Sequence, residues 1–282
     1  AVVAARPIAP PPTRALAATP PPIRTATHEQ ILDDKPAHLT LFRYADNPDI
    51  LVLDFPTLDA QGLMFDRVAA LVEKAGLPRD RVMPWAALKA HIVAGGDTIG
   101  TYYYGDDYSA AALARFFALA AAEGRTLNPE EARLHALLDR LGWLRPGVQA
   151  GLITLPAEDA DAHVTRRARD TILTHELSHG EYFSRPVYAD FVDRFWRTAL
   201  SPSQRAAVRS FLAREGYDIT QHELVVNEMQ AYLMFTRAPE FFRAADIGMT
   251  PAERTRLQRA FQSEMPRGWL RARLAALNAA DR

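Results

Sequence analysis

The chain has 282 residues, 48% hydrophobic and 24% charged, a globular balance that excludes a wholly disordered chain or a fibrous repeat. Thirty-three basic against 34 acidic side chains leave a net charge of -1, without the basic excess of a nucleic-acid binder. The absence of cysteine excludes disulfides, thiolate nucleophiles and thiolate-held zinc.

The chain opens AVVAARPIAPPPTRALAATPPPIR, a proline-dense run that cannot build helix or sheet ladders. Residues 1–26 are therefore expected to be a Pro-rich tail or linker, and 27–282 a single domain. A removed signal peptide would leave such a tail without an initiator Met, so a secreted or periplasmic bacterial setting is expected. No apolar stretch reaches the roughly 20 residues that cross a bilayer. The most apolar, Tyr108 to Ala122, carries Arg115 and reads as a buried helix.

From His38 to Phe55, HLTLFRY and DILVLDF read as two strands joined by a turn at Ala45–Pro48. A helix is expected from Leu58 to Ala75 and a short one from Pro84 to Val93. Thr98 to Tyr104 reads as a strand stopped by Gly105-Asp106-Asp107, with the aspartates capping a helix from Ser109 to Glu123. Pro129 to Leu141 has Asn128 as N-cap and Glu131 as its capping-box partner. Gly151 to Leu155 is a short strand, and from about Asp159 the pattern is helical. Capping boxes are expected at Ser201–Gln204, Thr220–Glu223 and Thr250–Glu253. The fold class is α+β: a small sheet with helices first, then helices only.

Within the helical part, His175-Glu176-Leu177-Ser178-His179 is an H-E-x-x-H motif. On an α-helix the two histidines stand about 40° and about 6 Å apart, so both imidazoles reach one metal ion. Glu176 sits about 100° round the helix, placed to take a proton from a metal-activated water. Apolar residues on both faces make this a buried helix. Imidazole and carboxylate without thiolate point to zinc, one per chain.

Two histidines leave a catalytic zinc one protein ligand short. A third histidine at metzincin spacing is missing, because Arg185 stands there. Glu181 is too close to turn back. Asp190, Asp193 and His222 are candidates without a supporting pattern, and Glu223 is accounted for by the Thr220 cap. Glu228 shares a helical face with Leu224, Ala231 and Tyr232. A carboxylate on an apolar face is costly to bury unless it is paired with an arginine or bound to metal.

HELSH, followed 49 positions after its last histidine by the Glu of Asn227-Glu228-x-x-Ala231, resembles the gluzincin type of zinc metallopeptidase. The resemblance covers residues from about 151 to 236. It implies His175, His179 and Glu228 as metal ligands and Glu176 as general base. It also implies an edge strand that pairs with an extended substrate, a place Gly151–Leu155 is expected to fill, and an active site between two lobes, 27–180 and 181–282. The expected activity is zinc-dependent hydrolysis of an amide bond in a peptide or protein; the alternative is a non-catalytic zinc-containing binding protein. Tyr182 and Tyr232 are expected to pack, with a possible role at the metal. Asp170 is expected to pair with Arg166 or Arg167.

Overall fold

The sheet forms from short, mostly buried runs. β1 (Ile23–Ala26) and α1 (His28–Leu32) lead into β2 (Thr40–Tyr44) and β3 (Ile50–Phe55), which pair antiparallel as a hairpin. α2 (Leu58–Val72), α3 (Trp85–Ala94), β4 (Asp107–Ser109), α4 (Ala110–Ala122), α5 (Pro129–Leu141) and β5 (Gly151–Pro156) follow. The order across the sheet is β1-β2-β3-β5-β4, with β1–β2 and β3–β5 parallel and the other pairs antiparallel. This is a computed structural model, and it describes residues 21–281.

Helices cover both faces of the sheet. Side chains alternate along a strand, so Ile50 and Val52 face one way and Leu51 and Leu53 the other. The first face, with Phe42, Ile153 and Leu155, receives Ile172, Leu173 and Leu177 of α6 (Arg166–Ser184). The second packs against Phe65 and Val68 of α2, Phe116 of α4 and Leu134 of α5. A central strand buried on both faces reads as a continuous apolar run, and β3 does. Its one charge, Asp54, meets Arg169 of α6, whose guanidinium nitrogens stand 2.9 and 2.7 Å from the carboxylate and also reach the Ile31 carbonyl at 2.8 Å.

The rest of the chain is helical: α7 (Pro186–Thr198), α8 (Pro202–Arg214), α9 (His222–Gln230), α10 (Pro251–Glu264) and α11 (Trp269–Ala280). A π-helical turn, Ala231–Phe235, continues α9, and a 3-10 turn spans Ala244–Ile247. These elements enclose a second core rich in aromatics, centred on Phe191, Phe195, Phe235 and Phe261. The chain is thus α+β, with an N-terminal five-stranded mixed sheet and an all-helical C-terminal region.

Several local expectations are corrected. Residues 23–26, assigned to the tail, form β1 on β2; residues 1–20 of that tail lie outside the described residues. Thr98–Tyr104 is a run of turns, and the strand begins instead at Asp107. Neither aspartate caps α4: Ser109 does, accepting from the Ala112 amide. The Thr220–Glu223 box does not form, since Gln221 is the N-cap and the Thr220 hydroxyl donates to Asp218 at 2.6 Å. The boxes at Asn128, Ser201 and Thr250 are present. β5 is no edge strand either, because β4 lies outside it.

Candidate metal centre

α6 runs 19 residues from its Thr165 cap and carries the motif in its second half, between the sheet and the helical core. His175 Nε2 and His179 Nε2 stand 3.1 Å apart, and Glu228 Oε2 lies 3.9 and 3.7 Å from them. Bonds of about 2.0–2.1 Å to a tetrahedral ion put donor atoms roughly 3.3 Å from one another. The three atoms therefore converge at about the spacing of a shared cation, and the half-buried His175 with the buried His179 and Glu228 can hold a metal ion.

Chemistry independent of the spacing agrees. Both Glu228 oxygens are buried and neither completes a hydrogen bond, although the Tyr217 hydroxyl lies near enough to favour the charged form, and the residue is 1% exposed. An unpaired carboxylate so placed is costly, and a cation removes the cost. Burial, with Asp107 and Glu73 nearby, pushes the Glu228 carboxyl well above its usual range. Burial also holds His175 well below its ordinary value and His179 down to about 4, so both imidazoles stay neutral at pH 7, the form that ligates metal.

The neighbours fix how these side chains point. The Thr236 hydroxyl donates to the Ala231 carbonyl at 3.1 Å, so at 2.7 Å from His175 Nδ1 it accepts that ring's N–H. The His175 Nε2 lone pair is thereby left for metal. The π turn supplies Tyr232, whose ring packs on His175 at 4.8 Å, and Thr236 follows as its C-cap. Gln230 joins the two helices that carry the donor set: its amide donates to Ser178 at 3.0 Å and to Asn227 at 3.3 Å, and its carbonyl accepts from Tyr188 at 2.8 Å. Asp107 Oδ2 lies 3.5 Å from His179 Nδ1.

Glu176 is 6% exposed, and its Oε2 has no partner. Burial, then Asp107 and Glu228, raise its carboxyl well above the ordinary range. The backbone just before β4 presses on it: a Cβ at Gly105 would overlap Glu176 Oε1. Both His175 and Glu176 open onto a cleft of about 290 Å³ that is also lined by Lys74, Tyr102, Tyr103, Tyr217 and Tyr232.

The other sequence candidates lie elsewhere. His222 is exposed and pairs with Asp193 at 2.9 Å, and Asp190 is exposed. Glu181 accepts from Asn47 at 2.6 Å and Trp269 at 2.8 Å. Tyr182 packs in the helical core, whereas Tyr232 lines the cleft. Asp170 pairs with His28 and Arg273, each at 2.7 Å, and not with Arg166 or Arg167. Thr236, Tyr217 and Lys74 were not assigned to the site from the sequence, Gly105 was read only as the end of a strand, and no local pattern marks any of them for the site. Comparison with protein-family models, curated proteins and solved structures gives no match for this chain.

Proposed function

We propose that the protein is a zinc-dependent hydrolase of an amide bond, in a peptide or protein substrate. The observation that carries this reading is the pairing of a His175–His179–Glu228 donor set with a separate carboxylate, Glu176, facing the same cleft. A binding protein needs the donor set but not the base, and Glu176 is expensive to keep buried beside Asp107 and Glu228. Zinc, when bound, lowers the pKa of water towards 7 and polarises a carbonyl. His175, oriented by Thr236, His179 and Glu228 hold the ion. Glu176 accepts the proton of the attacking water and returns it to the leaving amine. Tyr232, on the cleft wall, is the candidate donor to a substrate oxygen, and Tyr217 beside it steadies Tyr232 and Glu228.

The test is a pair of substitutions read by metal analysis and hydrolysis of a peptide library. The wild-type protein should hold one zinc per chain and cleave. Glu176→Gln should keep the zinc and lose about 10²–10⁴-fold in rate, because the amide cannot take the proton. Glu228→Gln should lower zinc affinity itself. Full activity of Glu176→Gln on a verified substrate, or unchanged zinc affinity of Glu228→Gln, would overturn the assignment.

A further inference from the structure

One dication does not offset all the buried carboxylates here. Glu73, just past the end of α2, Asp107 of β4 and Glu228 of α9 each present an oxygen, and the three atoms lie within 4.8 Å of one another. Glu73 is 3% and Glu228 1% exposed. Among the described residues no lysine or arginine nitrogen forms an ion pair with any of the three; the only ion-pairing neighbours of Asp107 and Glu228 are the imidazoles. Asp106, next in the chain, differs: it is satisfied by Gln61, Thr154 and Tyr108.

Two further observations point to a ligand. Glu228 faces the imidazoles with Oε2, yet its Oε1 is also buried and unpartnered, so one donor atom remains after a single ion has been held. The second is access. A cavity of about 300 Å³ is lined by Glu73, Asp107, Ser109 and Asn227 but by neither His175 nor Glu176. It reaches Glu73 and Asp107, with Glu228 buried behind them, from a side distinct from the cleft on which His175 and Glu176 open.

We infer that Glu73, Asp107 and Glu228 form a second cation site, joined to the His175–His179 site through the Glu228 carboxylate. The donors are all oxygens, which select a hard divalent ion of the Mg²⁺, Ca²⁺ or Mn²⁺ class rather than zinc. The inference shares Glu228 with the proposed zinc site but depends on Glu73, which the zinc reading does not use. A second cation would fix Glu228 from both oxygens and balance the charge beside Glu176.

The experiment titrates the zinc-loaded full chain with Mn²⁺, reading free Mn²⁺ by electron paramagnetic resonance and zinc by elemental analysis. One Mn²⁺ per chain should bind with zinc retained. Glu73→Gln should weaken Mn²⁺ by roughly tenfold or more and leave zinc at one per chain. Should Glu73→Gln fail to fold, Asp107→Asn is read for Mn²⁺ alone, because Asp107 also stands beside His179 Nδ1, and its Mn²⁺ affinity should fall likewise. No Mn²⁺ uptake by the wild-type protein up to about 1 mM, or uptake only as zinc is released, would overturn the second site and leave the zinc reading intact. Glu73-dependent Mn²⁺ binding by a protein that takes up no zinc would support the second site and remove the zinc reading.

Discussion

Thr236 decides which nitrogen His175 offers. With its hydroxyl donating to the Ala231 carbonyl, it accepts from the imidazole, which then carries its proton on Nδ1 and offers Nε2. Thr236→Val preserves the shape and removes the acceptor. Zinc affinity should fall about 10–100-fold with little change in melting temperature, as measured by competition with a chelator. A variant with wild-type affinity would show that the tautomer is set elsewhere. Asp66 on α2 is a different kind of buried acid. It is 2% exposed, its Oδ2 has no partner, and burial, with Asp106 nearby, lifts its pKa to about 9. A folded-state pKa above the unfolded one near 3.9 stabilises fully below that value, and the benefit is lost as pH rises through the folded pKa. Asp66→Asn should therefore flatten the fall in stability between about pH 4 and 9 and raise the melting temperature most at the alkaline end. Legibility at this scale follows sequence distance. His175, Glu176 and His179 can be placed together from helical geometry alone, whereas the cost of a carboxylate on an apolar face marks Glu228 but leaves an arginine or a metal as its partner, and only the resemblance joins it to the histidines. Thr236 reaches His175 across 61 positions and through a π turn, and neither has a local signature.

At the scale of elements, the closeness of α6 to the sheet depends on two glycines. A Cβ at Gly151 would stand 2.9 Å from Gly180 Cα, and one at Gly180 would meet the Ile50 side chain. Gly180 directly follows His179, so this contact sets the depth at which the motif sits over β5. Gly151→Ala pushes against backbone that cannot turn aside. It should cost about 1–3 kcal/mol and weaken zinc binding together with stability, in contrast to Thr236→Val. Calorimetry beside metal titration distinguishes the two, and a neutral Gly151→Ala would show that the helix can slide. The strands β2, β3 and β5 and most helices were legible because each has its own periodicity or cap. The tyrosine run was not: Tyr102 and Tyr103 share Lys74, whose ammonium lies 4.3 and 3.9 Å from their rings, and that packing replaces the strand their composition suggests. β4 spans only three residues, too few for alternation to register, and so the outer place in the sheet was given to β5.

On the scale of the whole molecule, both ends of the described chain close on the helix that carries the motif. β1 extends the sheet, and α1 after it brings the Ile31 carbonyl to Arg169 and His28 to Asp170. From the other end, Arg273 of α11 reaches Asp170 at 2.7 Å, Thr174 at 2.9 Å and His28 at 3.0 Å, one residue short of the first metal-site histidine. None of these side-chain contacts was legible, since the partners are 99 to 245 positions apart and each charge could equally face solvent. Burial raises the Asp170 carboxyl, but the hydrogen bond to His28 and the charge of Arg273 pull it further the other way, leaving it below its ordinary value. A depressed folded-state pKa contributes stability above the unfolded value near 3.9 and loses it as pH falls through the folded one. Arg273→Met keeps much of the apolar stem and deletes the charge, so it tests the clamp rather than the packing. Asp170 is 42% exposed at its side chain, which limits the electrostatic part to about 1 kcal/mol or less. The melting temperature should drop by a few degrees at pH 7, and the gap from wild type should narrow below about pH 3 as Asp170 protonates. A gap that stayed constant from pH 7 down through the acid range in which Asp170 protonates, to about pH 2, would mean that Arg273 acts through packing alone, with the two ends of the chain held to α6 by apolar contact.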